Sequence, residues 1–331
     1  MNTMQCGPQW IAGAISTEHS ENGVRPWRLP VHQLSLYDPG LAEDAGVPAG
    51  VRVAFATDSP FIALQVRAID KERQFDLVIG AQLRSTALLP PGEEIITFDL
   101  PAGLIQAEIY LSNRYPVEVL AISIAGGSVI EPVPKGRPRW VVYGSSITKG
   151  GAAFSPAQTW PSIVARRKGW DLTCLGFGGQ CHLEPMMAKL IRDWPADVIS
   201  LCLGINIYGA KSLNLRTFRS AVIGMISIIR EKHPNTPLFV MSPIYAPDRE
   251  TTENPAGLTL VQIRDEIREA VDIMKAYGDE WIFYFHGLDI FGSEDAAYLS
   301  DGVHPSAEGY KLLGERYLNY LDERGLAGDP A

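Results

Sequence analysis

The stretch Trp140-Val141-Val142-Tyr143-Gly144-Ser145-Ser146-Ile147-Thr148-Lys149-Gly150-Gly151 decides how the chain is organised. An apolar run of strand length gives way to glycines and hydroxyl residues, the pattern of a buried strand that ends in a tight loop. The alternation recurs downstream. Leu172 to Leu175, Val198 to Leu203, Leu238 to Met241 and Trp281 to Phe285 read as further buried strands. Leu260, Ile263, Ile267, Val271 and Met274 keep helical spacing, as do Tyr310, Leu313, Tyr317 and Leu321. Strands alternating with helices imply an α/β architecture, a parallel sheet with helices on both faces.

Upstream, Glu131-Pro132-Val133-Pro134-Lys135-Gly136-Arg137-Pro138 cannot continue a strand or helix and reads as a linker. Before it, Val51, Val53 and Phe55 alternate with smaller or polar neighbours, as do Ile62, Leu64 and Val66. Gln74 to Ile79, Glu94 to Leu100, Ile105 to Leu111 and Val117 to Ile124 continue the series between Pro/Gly turns. Short strands with no helix between them predict an antiparallel β-sandwich, jelly-roll-like. The expected domains are therefore 1–136, a β-sandwich accessory domain, and 137–331, the α/β domain. Trp27 and Tyr37 are the sandwich residues expected to face a ligand cleft.

The 331 residues suit two domains, at about 150 residues per domain. With 46% hydrophobic and 20% charged residues the chain can bury a core. Lys and Arg total 29 against 38 Asp and Glu, a net charge of −9, which offers no basic footprint for nucleic acid. The four cysteines, Cys6, Cys174, Cys181 and Cys202, form no CxxC pair and suit a reduced compartment. Met1 to Trp10 lacks a cationic-then-apolar leader, and no apolar run approaches the roughly 20 residues of a membrane span. No membrane partner is expected, and the expected location is the cytoplasm.

Reactive groups of a parallel α/β sheet lie past the carboxyl ends of its strands. Four such places stand out: Gly144-Ser145-Ser146-Ile147-Thr148, Gly176-Phe177-Gly178-Gly179, Gly204-Ile205-Asn206 and Asp301-Gly302-Val303-His304-Pro305. Each alone has an ordinary reading as a turn or helix cap. Together they supply what acyl transfer needs: a nucleophile, a base, a group to orient the base, and donors for an oxyanion. Competing motifs fail. Ser146-Ile147-Thr148-Lys149 matches S-x-x-K without S-D-N or K-T-G, and there is no G-x-S-x-G elbow, P-loop or G-x-G-x-x-G. The spacing of Cys174, Cys181, His182 and Cys202 fits no common zinc pattern, so neither metal nor cofactor is expected.

The ordered set resembles the four blocks of the SGNH (GDSL-type) hydrolases, across residues 137–331. The resemblance implies a flavodoxin-like three-layer α/β/α domain in which Ser146 is the nucleophile, His304 the general base and Asp301 the group that orients it. It also implies an oxyanion hole made by the backbone N–H of Ser146, the backbone N–H of Gly179 and the side-chain amide of Asn206. Where the family carries Gly-Asp-Ser this chain reads Gly144-Ser145-Ser146, with no carboxylate beside the nucleophile. A β-sandwich placed before such a domain is similar in architecture to certain carbohydrate esterases and to an O-acyltransferase of polyketide biosynthesis.

The expected activity is a serine esterase acting on a small acyl ester, such as an O-acetyl or other short acyl group on a sugar or natural product. The alternatives are an O-acyltransferase using the same acyl-enzyme, and a non-catalytic glycan-binding protein. The expected partner is a small-molecule or glycan ester, and the sandwich as a dimerising module leaves a homo-oligomer open. His182 and Tyr208 are candidate substrate-binding residues, whereas Trp160, Phe177 and Tyr245 are expected to serve packing. Pro243 to Gly257, with Arg249, Glu250 and Glu253, reads as a lid or specificity loop.

Overall fold

Period-two alternation sets out the first part of the chain as strands. The structure, a computed structural model, describes residues 1–133 and 136–323; Pro134 and Lys135 of the expected linker lie outside them. The strands are β1 (Asn2–Gln5), β2 (Ile11–Ala12), β3 (Ser16–His19), β4 (Val24–Trp27), β5 (Arg52–Thr57) and β6 (Phe61–Val66). Then come β7 (Arg73–Ile79), β8 (Gln82–Leu89), β9 (Ile95–Asp99), β10 (Ile105–Tyr110), β11 (Val119–Ile124) and β12 (Ile130–Pro132). They form two antiparallel sheets, β3-β4-β11-β6-β9 with β1 also on β11, and β12-β5-β10-β7-β8 with β2 also on β5. Alternate residues of both sheets meet in one core: Ile62, Leu64, Ile96, Phe98, Ile122 and Ile124 from the first, Val53, Phe55, Phe75, Leu77 and Ile109 from the second. This is a sandwich, with apolar inner faces. Strand β8 escapes a reading by alternation because its stretch Arg84-Ser85-Thr86 is exposed on an edge strand. The short helix α1 (Pro39–Ala45) is set by Asp38, whose Oδ1 accepts from Gly40 N–H at 2.8 Å, and by Pro39 in its first turn.

Trp27 and Tyr37 do not present the expected ligand surface. Both are buried, and Trp27 donates its Nε1–H to Glu18 while Arg25 stacks 4.3 Å above its ring. A residue whose faces and donor are already engaged is part of the packing.

By packing, Met1–Arg137 with Phe154–Cys174 form one compact unit, and Pro138–Ala153 with the chain from Leu175 form the other. Residues 154–174 join the first unit through polar contacts that periodicity does not reveal. Ala157 N–H donates to Asp76 Oδ2 at 2.7 Å, Arg166 donates to the Ala81 carbonyl at 2.7 Å, and Arg52 donates to the Leu172 carbonyl at 3.0 Å.

The remaining strands are β13 (Arg139–Gly144), β14 (Asp171–Gly176), β15 (Val198–Cys202), β16 (Leu238–Met241) and β17 (Ile282–Phe285). The helices are α2 (Ser146–Lys149), α3 (Trp160–Lys168), α4 (Pro185–Asp193), α5 (Ile205–Ala210), α6 (Leu215–Arg230), α7 (Leu260–Ala276), α8 (Gly287–Ile290) and α9 (Ala307–Asp322). The sheet order β14-β13-β15-β16-β17 is flavodoxin-like, and β13, β15, β16 and β17 run parallel. Trp140 to Tyr143 are all buried, as expected of a strand covered on both faces. Helix α7 starts at a capping box of Thr259 and Gln262, and α9 starts at Ser306 and buries Tyr310, Leu313, Tyr317 and Leu321. Buried Ser200 in β15 ties these layers together, accepting from Trp140 Nε1–H at 2.9 Å and Tyr317 O–H at 2.8 Å. The strand order reverses between β13 and β15, where an open α/β sheet leaves its crevice. No helix among the described residues is long and apolar enough to cross a membrane.

Candidate active site

The loop after β13 is built around two serines with different tasks. Ser145, buried, caps α2 by accepting from Ile147 N–H at 3.2 Å. Position 144 admits only glycine, since a Cβ there would lie 2.2 Å from Thr148 Oγ1. Ser146 is thereby fixed at the first turn of α2, with its side chain outside the cap.

Ser146 Oγ lies 2.8 Å from His304 Nε2, and His304 Nδ1 lies 2.7 Å from Asp301 Oδ2. The second Asp301 oxygen accepts from the N–H groups of Val303, at 3.0 Å, and His304, at 2.7 Å. This closes the loop on itself, with Gly302 at φ 77. A carboxylate only accepts, so the proton of a neutral His304 sits on Nδ1 and the Nε2 lone pair faces the serine. Burial alone would raise the Asp301 carboxyl, but the backbone and ring N–H groups of His304 outweigh it and hold the group at about 2.

On the loops after β13, β14 and β15, three donors find no acceptor among the described residues: Ser146 N–H, Gly179 N–H and the Asn206 amide N–H. Their orientation has local causes. Gln180 N–H donates to Phe177 O at 3.3 Å, closing a turn whose third residue, Gly179, is at φ 72; the N–H of Gly179 is not used by that bond. Asn206 sits in the first turn of α5, and its Oδ1 accepts from Cys181 N–H at 3.0 Å, which leaves the NH₂ as its open end. The structure therefore brings all five expected residues into one unit, on loops after β13, β14 and β15 and before α9. The rival nucleophiles are weak. All four cysteines are buried thiols outside any disulfide among the described residues, and burial pushes the Cys6 thiol up to about 12 and raises that of Cys181.

The expected substrate-binding pair is engaged with the protein. His182 Nε2 lies 2.8 Å from the Gly179 carbonyl and Nδ1 2.9 Å from Ser212 Oγ. Tyr208 donates its O–H to the Thr252 carbonyl at 3.1 Å and accepts at its own carbonyl from Asn254 Nδ2 at 2.8 Å. Arg249 stands 5.5 Å over the Tyr208 ring. The stretch 243–257 is thus a fastened strap. Glu250 is locked to buried Arg264 by bonds of 2.6 and 2.7 Å, while Glu253 is exposed. Arg264, Asn254 and Ser212 were invisible to motif reading, because an arginine beside Ile263 on a helix reads as surface charge. Trp160 and Phe177 are fully buried, in keeping with packing.

Comparison with known proteins gives the family and the fold. The profile of the GDSL-like lipase/acylhydrolase family matches residues 137–322, and that of the SsfX3 N-terminal domain matches residues 10–89. Among solved structures, the salicylyl-acyltransferase SsfX3 from a tetracycline biosynthetic pathway is similar at 28% identity and TM-score 0.91, over 98% of each chain. A GDSL-like lipase from Bacteroides ovatus ATCC 8483 shares the fold at 19% identity and TM-score 0.80, over 100% of each chain. A family two carbohydrate esterase from Clostridium thermocellum does so at 14% identity and TM-score 0.67, over 98% of this chain and 99% of its own. None of the curated proteins matches the chain. With more than half its length matched, the chain belongs to the GDSL-like lipase/acylhydrolase family.

Proposed function

We propose that the chain is a serine esterase that hydrolyses a small acyl ester on a sugar or natural product through an acyl-enzyme at Ser146. The observation that carries this reading is the continuous hydrogen-bonded line from Ser146 Oγ through His304 to Asp301, joined on the loops after β13, β14 and β15 by three donors with no acceptor among the described residues. Ser146 Oγ attacks the ester carbonyl while His304 Nε2 takes its proton. The carbonyl oxygen, now an anion, accepts from Ser146 N–H, Gly179 N–H and Asn206 Nδ2. The imidazolium, steadied by Asp301, returns the proton to the leaving alcohol, and the acyl group stays on Ser146. Water activated by the same imidazole then releases the acid. Ser145 caps α2 in place of the usual aspartate, so the carboxylate needed for this cycle is Asp301 alone.

A second reading, transfer of the acyl group to an alcohol, is favoured by the extent of the likeness to the salicylyl-acyltransferase, which covers 98% of the chain. Both readings share every step up to the acyl-enzyme. One experiment tests the chemistry and divides the outcomes: p-nitrophenyl esters from acetyl to octanoyl, assayed with and without added sugar and polyol alcohols. Release of p-nitrophenol that is lost in Ser146→Ala supports the acyl-enzyme. Free acid as sole product means hydrolysis, and a new ester with the added alcohol means transfer. Activity unchanged in Ser146→Ala overturns both.

A further inference from the structure

The segment Gly179-Gln180-Cys181-His182 holds two of the three residues proposed as oxyanion donors, each by its carbonyl oxygen. Cys181 N–H holds the oxygen of the Asn206 amide at 3.0 Å, and the His182 ring holds the carbonyl of Gly179 at 2.8 Å. Gly179 is the most easily turned residue of the set. It is at φ 72, and nothing lies within 4 Å of the place a Cβ would occupy, so no side-chain packing fixes it. A bond to its carbonyl fixes the peptide plane that follows it, and through the φ and ψ of this one residue it limits the swing of the plane that carries the Gly179 N–H.

The His182 ring is itself held. A carbonyl oxygen only accepts, so Nε2 carries a proton, and Nδ1 lies 2.9 Å from Ser212 Oγ, a hydroxyl able to donate to it. The clamp is closed by two residues in unusual conformations. Leu183, directly after His182, is at φ 63, and Lys211, directly before Ser212, is at φ 58. Among the described residues these are the only non-glycine residues with positive φ. Left-handed backbone at such residues persists where surrounding contacts fix it, and it gathers at sites that need a fixed geometry. Leu183 N–H is met by the buried Tyr143 hydroxyl at 3.4 Å, which anchors the same turn.

We infer that His182, held by Ser212, is a positioning residue that aims the Gly179 N–H at the developing oxyanion. This rests on the acyl-enzyme reading above. The effect belongs to the transition state, so it falls on kcat and leaves the binding of a small ester unchanged.

The test uses the full chain, p-nitrophenyl acetate turnover and the rate of fluorophosphonate labelling, with thermal unfolding recorded for each variant. His182→Ala should lower kcat and the labelling rate together, by roughly tenfold to a hundredfold, below the roughly 10²–10³-fold typical of deleting a donor outright, with KM unchanged. His182→Gln, whose amide N–H can reach the same carbonyl, should restore both rates to within about threefold of the parent. Ser212→Ala should fall between the two. The inference is overturned by a His182→Ala enzyme with parental kcat and labelling. It is also overturned by a His182→Gln enzyme that unfolds at the parental temperature yet is as slow as His182→Ala. Ser146→Ala separates the two levels of argument: if it still turns over, the acyl-enzyme reading falls. If it is dead while His182→Ala is normal, only this inference falls.

Discussion

Two polar clusters in this chain contain similar groups and are wired in opposite ways. In the first unit Arg52 is 1% exposed and donates to the carbonyls of Gly50 and Leu172 and to the carboxylates of Glu108 and Asp171. Glu108 in turn pairs with Arg137. In the second unit the His304 and Asp301 side chains are 34% and 55% exposed, and the N–H donors of Ser146, Gly179 and the Asn206 amide have no acceptor among the described residues. A satisfied network that is dry at its centre, around Arg52 and Glu108, although Asp171 and Arg137 are each 39% exposed, holds backbone in place, whereas donors left without an acceptor suit a group from outside the chain. Hydrogen-bond satisfaction, more than charge or burial, separates the structural cluster from the one proposed to react.

Substitutions can break that contrast from either side. Ser146→Ala should show the largest effect, a loss of turnover of roughly 10⁴-fold or more with unfolding unchanged. An activity kept in Ser146→Ala and lost in Ser145→Ala would put the nucleophile one residue earlier. Next comes Arg52→Met, which strands two buried carbonyls and leaves Asp171 without its partner. It should lower stability by about 3–5 kcal/mol in urea unfolding while activity per folded molecule stays near the parental value. A variant as stable as the parent would show that the dry network does not hold the first unit together. Asn206→Ala should lower kcat by roughly 10²–10³-fold with KM little changed, because it removes a donor needed only when charge develops, and should lower stability by about 1–3 kcal/mol because Cys181 N–H loses its acceptor. Equal losses in KM would make Asn206 a substrate-binding group instead.

The same contrast explains what could be read without coordinates. The sheet was legible because strands covered on both faces are continuous apolar runs, and the reactive loops because small residues punctuate the ends of those runs. The dry cluster was hidden. Arg52 and Glu108 lie in strands whose apolar neighbours carry the pattern, and nothing in a sequence says that an arginine at position 52 will meet the carbonyl of residue 172. The alternate apolar residues marked the central strands of the sandwich, but edge strand β8 and the short N-terminal strands lack such a run. His182 was visible as a candidate, and its partner Ser212 was not, because the bond joins a loop after β14 to one after α5. Trp27 failed for the converse reason. Its aromatic character suggested a binding surface, and Glu18 with Arg25 had already enclosed it.

The smallest expected effect compares one carboxylate from each cluster by its dependence on pH. Asp301 is held at about 2 against 3.8 in an open chain, and Glu108 is also lowered, burial being outweighed by Arg52 and Arg137. For a carboxyl whose folded value is depressed, the stabilisation is complete above the open-chain value and disappears as pH falls through the folded one. Asp301 therefore keeps its charge across the neutral and mildly acidic range, so an acid limb of kcat/KM there does not report this carboxylate. In urea unfolding, the gap between parent and Asp301→Asn should be constant above about pH 5 and shrink steadily towards about pH 2. Solvent screens an exposed pair, so this gap should be smaller than that between parent and Glu108→Gln over the same range. A gap for Asp301→Asn that does not change with pH would mean that its bonds to Val303 and His304 do not favour the ionised form. A larger change for Asp301 than for Glu108 would overturn the ranking of wet and dry clusters on which the comparison rests.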